Sequence, residues 1–251
     1  MNTRTTDDEV AGGTKPFLAH LEDLRATLLR MAASFVVAFA IAVPLAPRVF
    51  GLLLRPLVRA VGASEPYLRS LEVAGAFTLA LRVMLGTALI FSAPLLIAFA
   101  AQFVYPGLTR RERHVATSAL AAAGALFAFG VALGYFTTLP LAIRVMMSLH
   151  DWMGVRAEWT VTSYVAFALQ LLLAFGLVFE LPIVIVALGR LGLVTAARLR
   201  KYRRHAIVVL LLTAALLTPP DVFTQLAMAV PLIALYEVCI LMIAIGERRR
   251  P

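Results

Sequence analysis

One acidic side chain stands inside a long apolar segment. Glu180 lies in the sequence FGLVFELPIV, with several turns of apolar residues before it. A carboxylate in such a segment is costly to bury, so we expect it to face a cavity, to pair with a cation or to be protonated. Two interpretations stay open: a functional site, or a hydrogen-bonded acid that only fixes how the helices pack.

A second group of polar residues lies near the N-terminus, in the segment 16–30, PFLAHLEDLRATLLR. Its apolar residues recur at helical spacing and form one stripe, while polar residues form another face. The stripe is Phe17, Leu21, Leu24 and Leu28, and the polar face is His20, Asp23, Thr27 and Arg30. The pattern predicts an amphipathic helix at 16–27 that leads into the first apolar run. Its simplest interpretation is a solvated helix at the membrane surface in which Glu22 pairs with Arg25.

A third acid stands alone among cations. In the segment 103–113, FVYPGLTRRER, the only acid is Glu112, and Pro106 with Gly107 predicts the end of a helix. The carboxylate could form a local salt bridge with a flanking arginine, which contributes ~0–1 kcal/mol at an exposed position. This pattern alone does not separate that role from a binding role.

A proline-rich segment near the C-terminus, 218–225, has the sequence TPPDVFTQ. It predicts a tight outer hairpin in which two prolines stop one helix and the following aspartate caps the next. Gln225 follows one turn later on the same face as that aspartate. The residues expected to have a structural role in the outer connections are Pro56, Pro219, Pro220 and Asp221.

The composition requires lipid as the main solvent. Hydrophobic residues make up 61% of the 251 residues and the mean hydropathy is +0.90, whereas soluble domains contain about 45–50% apolar residues. Cys239 lies in an apolar run, and the 4 histidines lack the spacing of metal ligands. We therefore expect no disulfide framework, no metal site and no cofactor.

Six apolar runs predict an all-α polytopic membrane protein that forms a single domain over residues 1–251. The runs are 28–45, 73–103, 115–139, 162–188, 206–217 and 222–245, after a flexible tail at 1–15. A helix needs ~20 residues to cross a ~30 Å hydrocarbon core, so the fifth run requires a thinned bilayer or shielding by neighbouring helices. Prolines within or beside the runs predict kinks. We expect a curved, concave bundle of six transmembrane helices whose fifth and sixth helices are short.

The distribution of cations predicts the orientation in the membrane. Of the 23 Lys and Arg residues, 16 lie in the two terminal segments and the second and fourth connections, 6 lie in the other connections, and Arg82 lies inside the second run. Because cytoplasmic connections carry an excess of Lys and Arg, both termini are expected in the cytoplasm. The same rule accounts for the net charge of +9, so no nucleic-acid partner is expected.

Taken together, these segments resemble the TatC family, the multispanning receptor subunit of the twin-arginine protein translocase. The resemblance extends over nearly the whole chain, and the order and spacing of its motifs across six apolar runs make it specific. The motifs are HLEDLR at 20–25, SAP at 92–94, YPGL at 105–108 with Glu112 after it, FE at 179–180, TPPDVFTQ at 218–225 and PLIALYE at 231–237.

The resemblance implies a signal-peptide receptor and not an enzyme. Such a protein binds the twin-arginine signal peptides of folded precursors and recruits small single-span subunits of the TatA and TatB type. The proton gradient then drives export of the folded cargo. Self-association in the complex and a location in the inner membrane, with both termini cytoplasmic, are further implications.

The resemblance also implies particular site residues. Those expected to bind the signal peptide are His20, Glu22, Asp23, Arg25, Phe103 and Glu112. Asp23 and Glu112 would contact the arginine pair of the signal peptide. The family most often has glutamate at the position of Asp23, and the neighbouring Glu22 could substitute for it. The intramembrane polar residues expected to serve partner docking are Glu180, Thr218 and Gln225.

Two other classes of function are weighed against this one. An ion-coupled secondary transporter would also use an intramembrane acid such as Glu180 and broken helices, but the chain has no internal repeat that relates its first three runs to its last three. An intramembrane enzyme would need a catalytic motif, and no GxSxG, GxGD or HExxH sequence is present.

Overall fold

The described part of the protein is almost entirely helical. The computed structural model describes residues 17–61, 68–69, 73–104, 110–155, 158–190, 192–217 and 222–248. The predicted tail at 1–15 and the predicted turn residues Thr218, Pro219, Pro220 and Asp221 lie outside these residues.

Nine α-helices, one π-helical turn and two short strands occur in the described ranges. The helices are α1 (Phe17–Val61), α2 (Gly75–Val104), α3 (Arg110–Leu133), α4 (Leu139–Met153), α5 (Val161–Val178), α6 (Leu181–Arg190), α7 (Ala196–Lys201), α8 (Arg203–Leu217) and α9 (Val222–Arg248). The π-helical turn (Gly134–Thr138) joins α3 to α4. Strands β1 (Leu68–Arg69) and β2 (Trp159–Thr160) pair in parallel, with Leu68 opposite Trp159.

Five segments within the described residues are long and apolar enough to cross a membrane. They are Leu21–Ala60, Gly75–Phe103, Ala121–Met153, Val161–Gly189 and Val222–Arg248. Helix α8 has 15 residues, which span ~22 Å, less than the ~30 Å hydrocarbon core. A sixth crossing at α8 therefore stays a prediction. The expectation that the last helix is also short is wrong, because α9 has 27 residues and continues through Pro231.

Helix α1 is longer than the sequence pattern suggested. The predicted amphipathic segment and the first apolar run form one helix of 45 residues. Pro56, which we expected in an outer connection, lies inside this helix and is buried. The helix can continue there because the carbonyl of Leu52, which loses the N–H of residue 56, accepts a hydrogen bond from the Tyr135 hydroxyl at 2.8 Å.

Three of the prolines for which we predicted kinks lie inside continuous helices, and the kinks themselves stay a prediction. Pro44, Pro94 and Pro231 lie inside helices that continue through them. In the described ranges, the α-helical hydrogen-bond pattern changes shortly before two other prolines. The π-helical turn ends before Pro140, and α5 ends before Pro182. At Pro182 the run 162–188 divides into α5 and α6, with Phe179 and Glu180 in the break, because proline offers no N–H and crowds the preceding turn.

Helix α5 packs closely against α3 through glycines. A Cβ at Gly130 would lie 2.7 Å from the carbonyl oxygen of Phe175, and a Cβ at Gly176 would lie 2.5 Å from the ring of Phe127. Such distances leave no room for a methyl group, so the two helices approach each other at backbone distance. The core is built around this contact, and Phe175 and Phe179 are almost completely buried. The close approach holds the break after α5 against α3.

Candidate functional site

The start of α1, the end of α2 and the start of α3 form one end of the helix bundle, which we call the recognition end. Helices α1 and α2 run in opposite directions, and Ala88 of α2 packs against Ala38 and Ala42 of α1. If this register continues to the end of α2, Phe103 lies at the level of Asp23 and Thr27. This extrapolated register relates the end of α2 to a part of α1 that is far away in sequence.

A side-chain hydrogen bond adds to the backbone bonding of α1 at Asp23. The Thr27 side chain is buried, and its hydroxyl donates a hydrogen bond of 2.7 Å to the backbone carbonyl of Asp23. Asp23 itself is half-buried, whereas Glu22 and Arg25 are exposed. The predicted ion pair between Glu22 and Arg25 is not formed in the described structure, so the carboxylate of Glu22 points into the surroundings without that partner.

Phe103 and Glu112 come from the other two helices of the recognition end. Phe103 is half-buried in the last turn of α2, and Glu112 lies in the first turn of α3. A carboxylate in a first helical turn is favoured by the helix dipole. The side chains of Glu112 and His20 lie outside the described part of the structure. For these two residues the structure gives only their positions on α3 and α1.

Glu180 lies deep in the protein, at the break between α5 and α6. Only 5% of its surface is exposed, and neither carboxylate oxygen has a hydrogen-bond partner among the residues that the structure describes. Its backbone carbonyl accepts a hydrogen bond from the N–H of Ile183 at 3.1 Å, which starts α6. No ion pair to Glu180 is found among the described residues. From the sequence we expected Glu180 to face a cavity, to pair with a cation or to be protonated. Within the described residues it does not pair with a cation.

The ring of Phe179 fixes the position of Glu180 in the bundle. Phe179 stacks on Phe175 with 6.3 Å between ring centroids and contacts Phe129 of α3 at 5.8 Å. It also lies against Gly130, where a Cβ would be 2.8 Å away. From Gly130 back to Glu112, helix α3 covers ~27 Å at ~1.5 Å per residue. Glu180, next to Phe179, thus lies well away from the start of α3.

Helices α8 and α9 are joined by polar contacts. The side-chain amide of Gln225 donates a hydrogen bond of 3.2 Å to the carbonyl of Leu211. Thr218, the other predicted docking residue of this region, lies outside the described residues. Gln225 is half-buried, so part of its surface remains accessible.

Several polar contacts near the opposite end of α9 were not predicted. Glu237 forms an ion pair of 2.8 Å with Arg203, and the Tyr236 hydroxyl donates to the carbonyl of Leu199 at 3.0 Å. Glu247 accepts a hydrogen bond of 3.0 Å from the N–H of Ala196 at the start of α7. The motif PLIALYE contains Tyr236 and Glu237, but nothing in a single sequence selects Arg203 among the neighbouring cations as the partner.

Comparison with known proteins identifies the family. Residues 19–231 match the family model described as TatC, Sec-independent protein translocase protein. A protein of that name from Desulforapulum autotrophicum is 37% identical over 226 residues, which cover 90% of this chain and 83% of the relative. The Escherichia coli K12 protein of the same name is 32% identical over 225 residues, 90% of this chain and 86% of the relative.

A solved structure gives the same result for the fold. The crystal structure of a twin-arginine translocase receptor, TatC, superposes with a TM-score of 0.77 at 30% sequence identity. The superposition covers 91% of this chain and 99% of the other. The apolar helices are those of a multi-pass membrane protein. The chain therefore belongs to the TatC family of Sec-independent protein translocase proteins.

Proposed function

We propose that this protein is the signal-peptide receptor and core subunit of a twin-arginine translocase. The proposal is supported by the positions of three residues along the helices, with Asp23 near the start of α1, Phe103 in the last turn of α2 and Glu112 in the first turn of α3. The similar crystal structure is that of a twin-arginine translocase receptor, which supports this role. The ligand is the pair of adjacent arginines in the signal peptides of folded precursor proteins.

The recognition chemistry follows from the geometry of guanidinium groups. A guanidinium is a planar fork whose N–H groups match the two oxygens of a carboxylate, and each such charge-assisted contact contributes ~1.5–3 kcal/mol. Two carboxylates, one on α1 and one on α3, would therefore favour two adjacent arginines over two lysines, which are point charges. Cations surround this acidic region, which disfavours other basic segments. Glu22, exposed beside half-buried Asp23, is the alternative partner for one arginine.

The proposed orientation brings the recognition end to the signal peptide. With both termini in the cytoplasm, the starts of α1 and α3 face the compartment in which precursors fold. The excess of Lys and Arg in the terminal segments and in the second and fourth connections supports this orientation. The protein is then a component of the inner membrane, and the connection between β1 and α2 and the pairing of β1 with β2 lie on the outer side.

Single-span TatA- and TatB-type subunits would bind elsewhere on the protein. Gln225 reaches across from α9 to α8 and is half-buried, which suits an amide that also contacts a transmembrane partner. Glu180 is unpartnered within the described structure, as expected for a group whose partner arrives during assembly or transport. In this proposal the signal binds first at the recognition end, and Thr218, Gln225 and Glu180 serve the later steps, including self-association.

Co-purification with a precursor tests the proposal. A folded precursor with a twin-arginine signal should remain bound to the detergent-solubilised protein, and the same precursor with twin lysine should be retained much less. The protein with Asp151→Asn, which removes an exposed acid from α4 far along the chain from the recognition end, is the matched control and should keep the preference. Equal retention of the two precursors would contradict the proposal.

A further inference from the structure

A cavity of about 180 Å³ lies where the last turns of α1 meet the π-helical turn and α4. It is lined by Pro56 and Arg59 of α1, Tyr135 and Phe136 of the π-helical turn, and Pro140 and Arg144 of α4. One buried water needs only ~15 Å³ of such space. The cavity can therefore accept a polar group that is much larger than water.

Two guanidinium groups border this cavity. Arg59 and Arg144 are both exposed, and neither forms an ion pair or a hydrogen bond with another residue in the described part of the chain. They come from helices that are far apart in sequence, so the fold alone brings them together. Two like charges at one cavity repel each other, and an anion between them would remove that repulsion.

The wall between the two arginines is rigid. The Tyr135 hydroxyl is held by the carbonyl of Leu52 at 2.8 Å, and Pro56 is buried beside it. Pro140 restricts the backbone at the start of α4. Because the Tyr135 hydroxyl already has its acceptor, the two arginines are the side chains that remain to bind an anion.

Aromatic residues indicate where the membrane interface lies. The hydroxyls of Tyr135 and Tyr164 bond to the carbonyls of Leu52 and Leu53, so the two rings are at the same level of the bundle. Next to them Phe136 is 70% exposed on the outer surface of the bundle. Tyrosines with neighbouring exposed aromatics are typical of the boundary between hydrocarbon and headgroups.

The two arginines lie closer to the C-terminal ends of α1 and α4 than that aromatic level does. Arg59 follows Leu52 by two turns of α1, and Arg144 follows Tyr135 by about two and a half turns, which corresponds to ~10–13 Å along each helix. The headgroup layers bring the total bilayer thickness to ~40–45 Å around a ~30 Å core. Long arginine side chains can reach back from such positions toward the phosphate groups.

We propose that this cavity binds the phosphate group of an anionic phospholipid. The guanidinium forks of Arg59 and Arg144 donate hydrogen bonds to its oxygens, since planar forks match phosphate geometry. The acyl chains lie along the exposed ring of Phe136 and the apolar surface below it. In the proposed orientation the bound lipid belongs to the outer leaflet, but its recognition does not depend on signal-peptide binding.

Native mass spectrometry of the delipidated full-length protein in neutral detergent tests this site. The probes are dioleoylphosphatidylglycerol, dioleoylphosphatidylcholine with the same chains, and inorganic phosphate. The anionic lipid should bind most tightly. Arg59→Gln and Arg144→Gln should each weaken its binding by about fivefold, because one arginine near anionic lipid contributes about that factor. The control Arg55→Gln removes an exposed charge from α1 outside the cavity and should change binding less than about twofold.

Three results would overturn the proposal. Unchanged lipid affinity in both single variants would show that the cavity is not the site. An equal loss in the Arg55→Gln control would show general attraction between the protein and anionic lipid. Equally tight binding of inorganic phosphate, with competition against the lipid, would show an anion site that does not recognise a lipid. Each single variant is compared only after its thermal unfolding in the same detergent matches that of the unmodified protein.

Discussion

The Tyr135 hydroxyl donates a hydrogen bond to the carbonyl oxygen of Leu52 across 2.8 Å. Leu52 lies four residues before Pro56, and its carbonyl would otherwise have no donor in the helix, because proline has no N–H. Tyr164 bonds in the same way to the carbonyl of Leu53 at 2.6 Å. The two tyrosines thus connect the proline-containing part of α1 to the π-helical turn and to α5.

The Tyr135 contact can be tested with a double-mutant cycle. Tyr135→Phe should lower the free energy of unfolding by ~1 kcal/mol, the usual net contribution of one hydrogen bond. In a Pro56→Ala background the new N–H of residue 56 can satisfy Leu52, so Tyr135→Phe should cost clearly less. Thermal or denaturant unfolding in detergent measures both values.

Tyr164→Phe is the internal control for this cycle. The carbonyl of Leu53 can also accept from the N–H of Leu57, which is present with or without Pro56. The cost of Tyr164→Phe should therefore be the same in the two backgrounds. If Tyr135→Phe is equally costly with proline or alanine at position 56, the hydroxyl does not replace the missing N–H.

Two glycines of α3 should respond in opposite ways to the same substitution. Gly130→Ala places a methyl group 2.7 Å from the Phe175 carbonyl and 2.8 Å from Phe179, so it should destabilise the protein by ~1–3 kcal/mol. Gly124→Ala meets nothing within 4 Å and should be neutral or stabilise by up to ~1 kcal/mol, because alanine favours helix. Unfolding measurements that find equal effects would contradict the close packing of α3 against α5.

Hydropathy and local motifs were sufficient to predict an all-helical membrane protein of this family. An apolar run in the sequence indicates a segment that is buried or faces lipid. Five of the predicted runs correspond to long apolar helices among the described residues. The short run at 206–217 falls in α8, which has 15 residues. The burial of Glu180 was also foreseeable, since several turns of apolar residues precede it.

Contacts between distant residues were not predictable in the same way. Pro56 was interpreted as a loop residue because proline usually ends a helix, and the hydroxyl that permits the helix to continue belongs to a residue 83 positions away. The ion pair between Arg203 and Glu237 likewise depends on how α8 packs against α9. The pattern of residues along one sequence indicates helix propensity and which faces are buried. It does not identify which distant residues contact each other.

The proposed orientation can be checked with reporters at two positions. A reporter fused after Pro251 should lie in the cytoplasm, and a tag inserted near Gly154, in the turn after α4, should lie outside. The reason is the excess of cations, 16 against 6, on the side assigned to the cytoplasm. If the tag near Gly154 is protected from protease in right-side-out cells, the orientation is wrong.

Substitution of Glu180 should separate binding from transport. Phe179, next to Glu180, contacts α3 at Gly130, which lies ~27 Å along that helix from Glu112, so Glu180→Ala should change precursor binding in detergent by less than about twofold. Transport should fall strongly if the carboxylate acts after the signal has bound. Glu180→Gln keeps the shape of the side chain and should show the same separation with smaller loss of stability. Loss of binding as complete as that caused by substitution of Glu112 would contradict this division of roles.

The position of Glu112 in the first turn of α3 gives the sharpest test of the recognition end. Loss of one charge-assisted contact of ~1.5–3 kcal/mol should weaken binding of a twin-arginine peptide roughly ten- to hundredfold. Glu112→Arg should cost more than Glu112→Gln because it adds repulsion between like charges. Asp23→Ala should cost less than either, since exposed Glu22 lies beside it.

Affinity measurements or crosslinking with the peptide distinguish this role from a local salt bridge. A glutamate that only pairs with a flanking arginine at the surface would change the affinity by at most ~1 kcal/mol, about fivefold. Each variant must insert and accumulate as the unmodified protein does, and Asp151→Asn provides the charge-matched control for Glu112→Gln. If Glu112→Arg is well folded and binds the peptide with unchanged affinity, the receptor site is not at the start of α3, because a reversed charge at a true contact would repel the arginine pair.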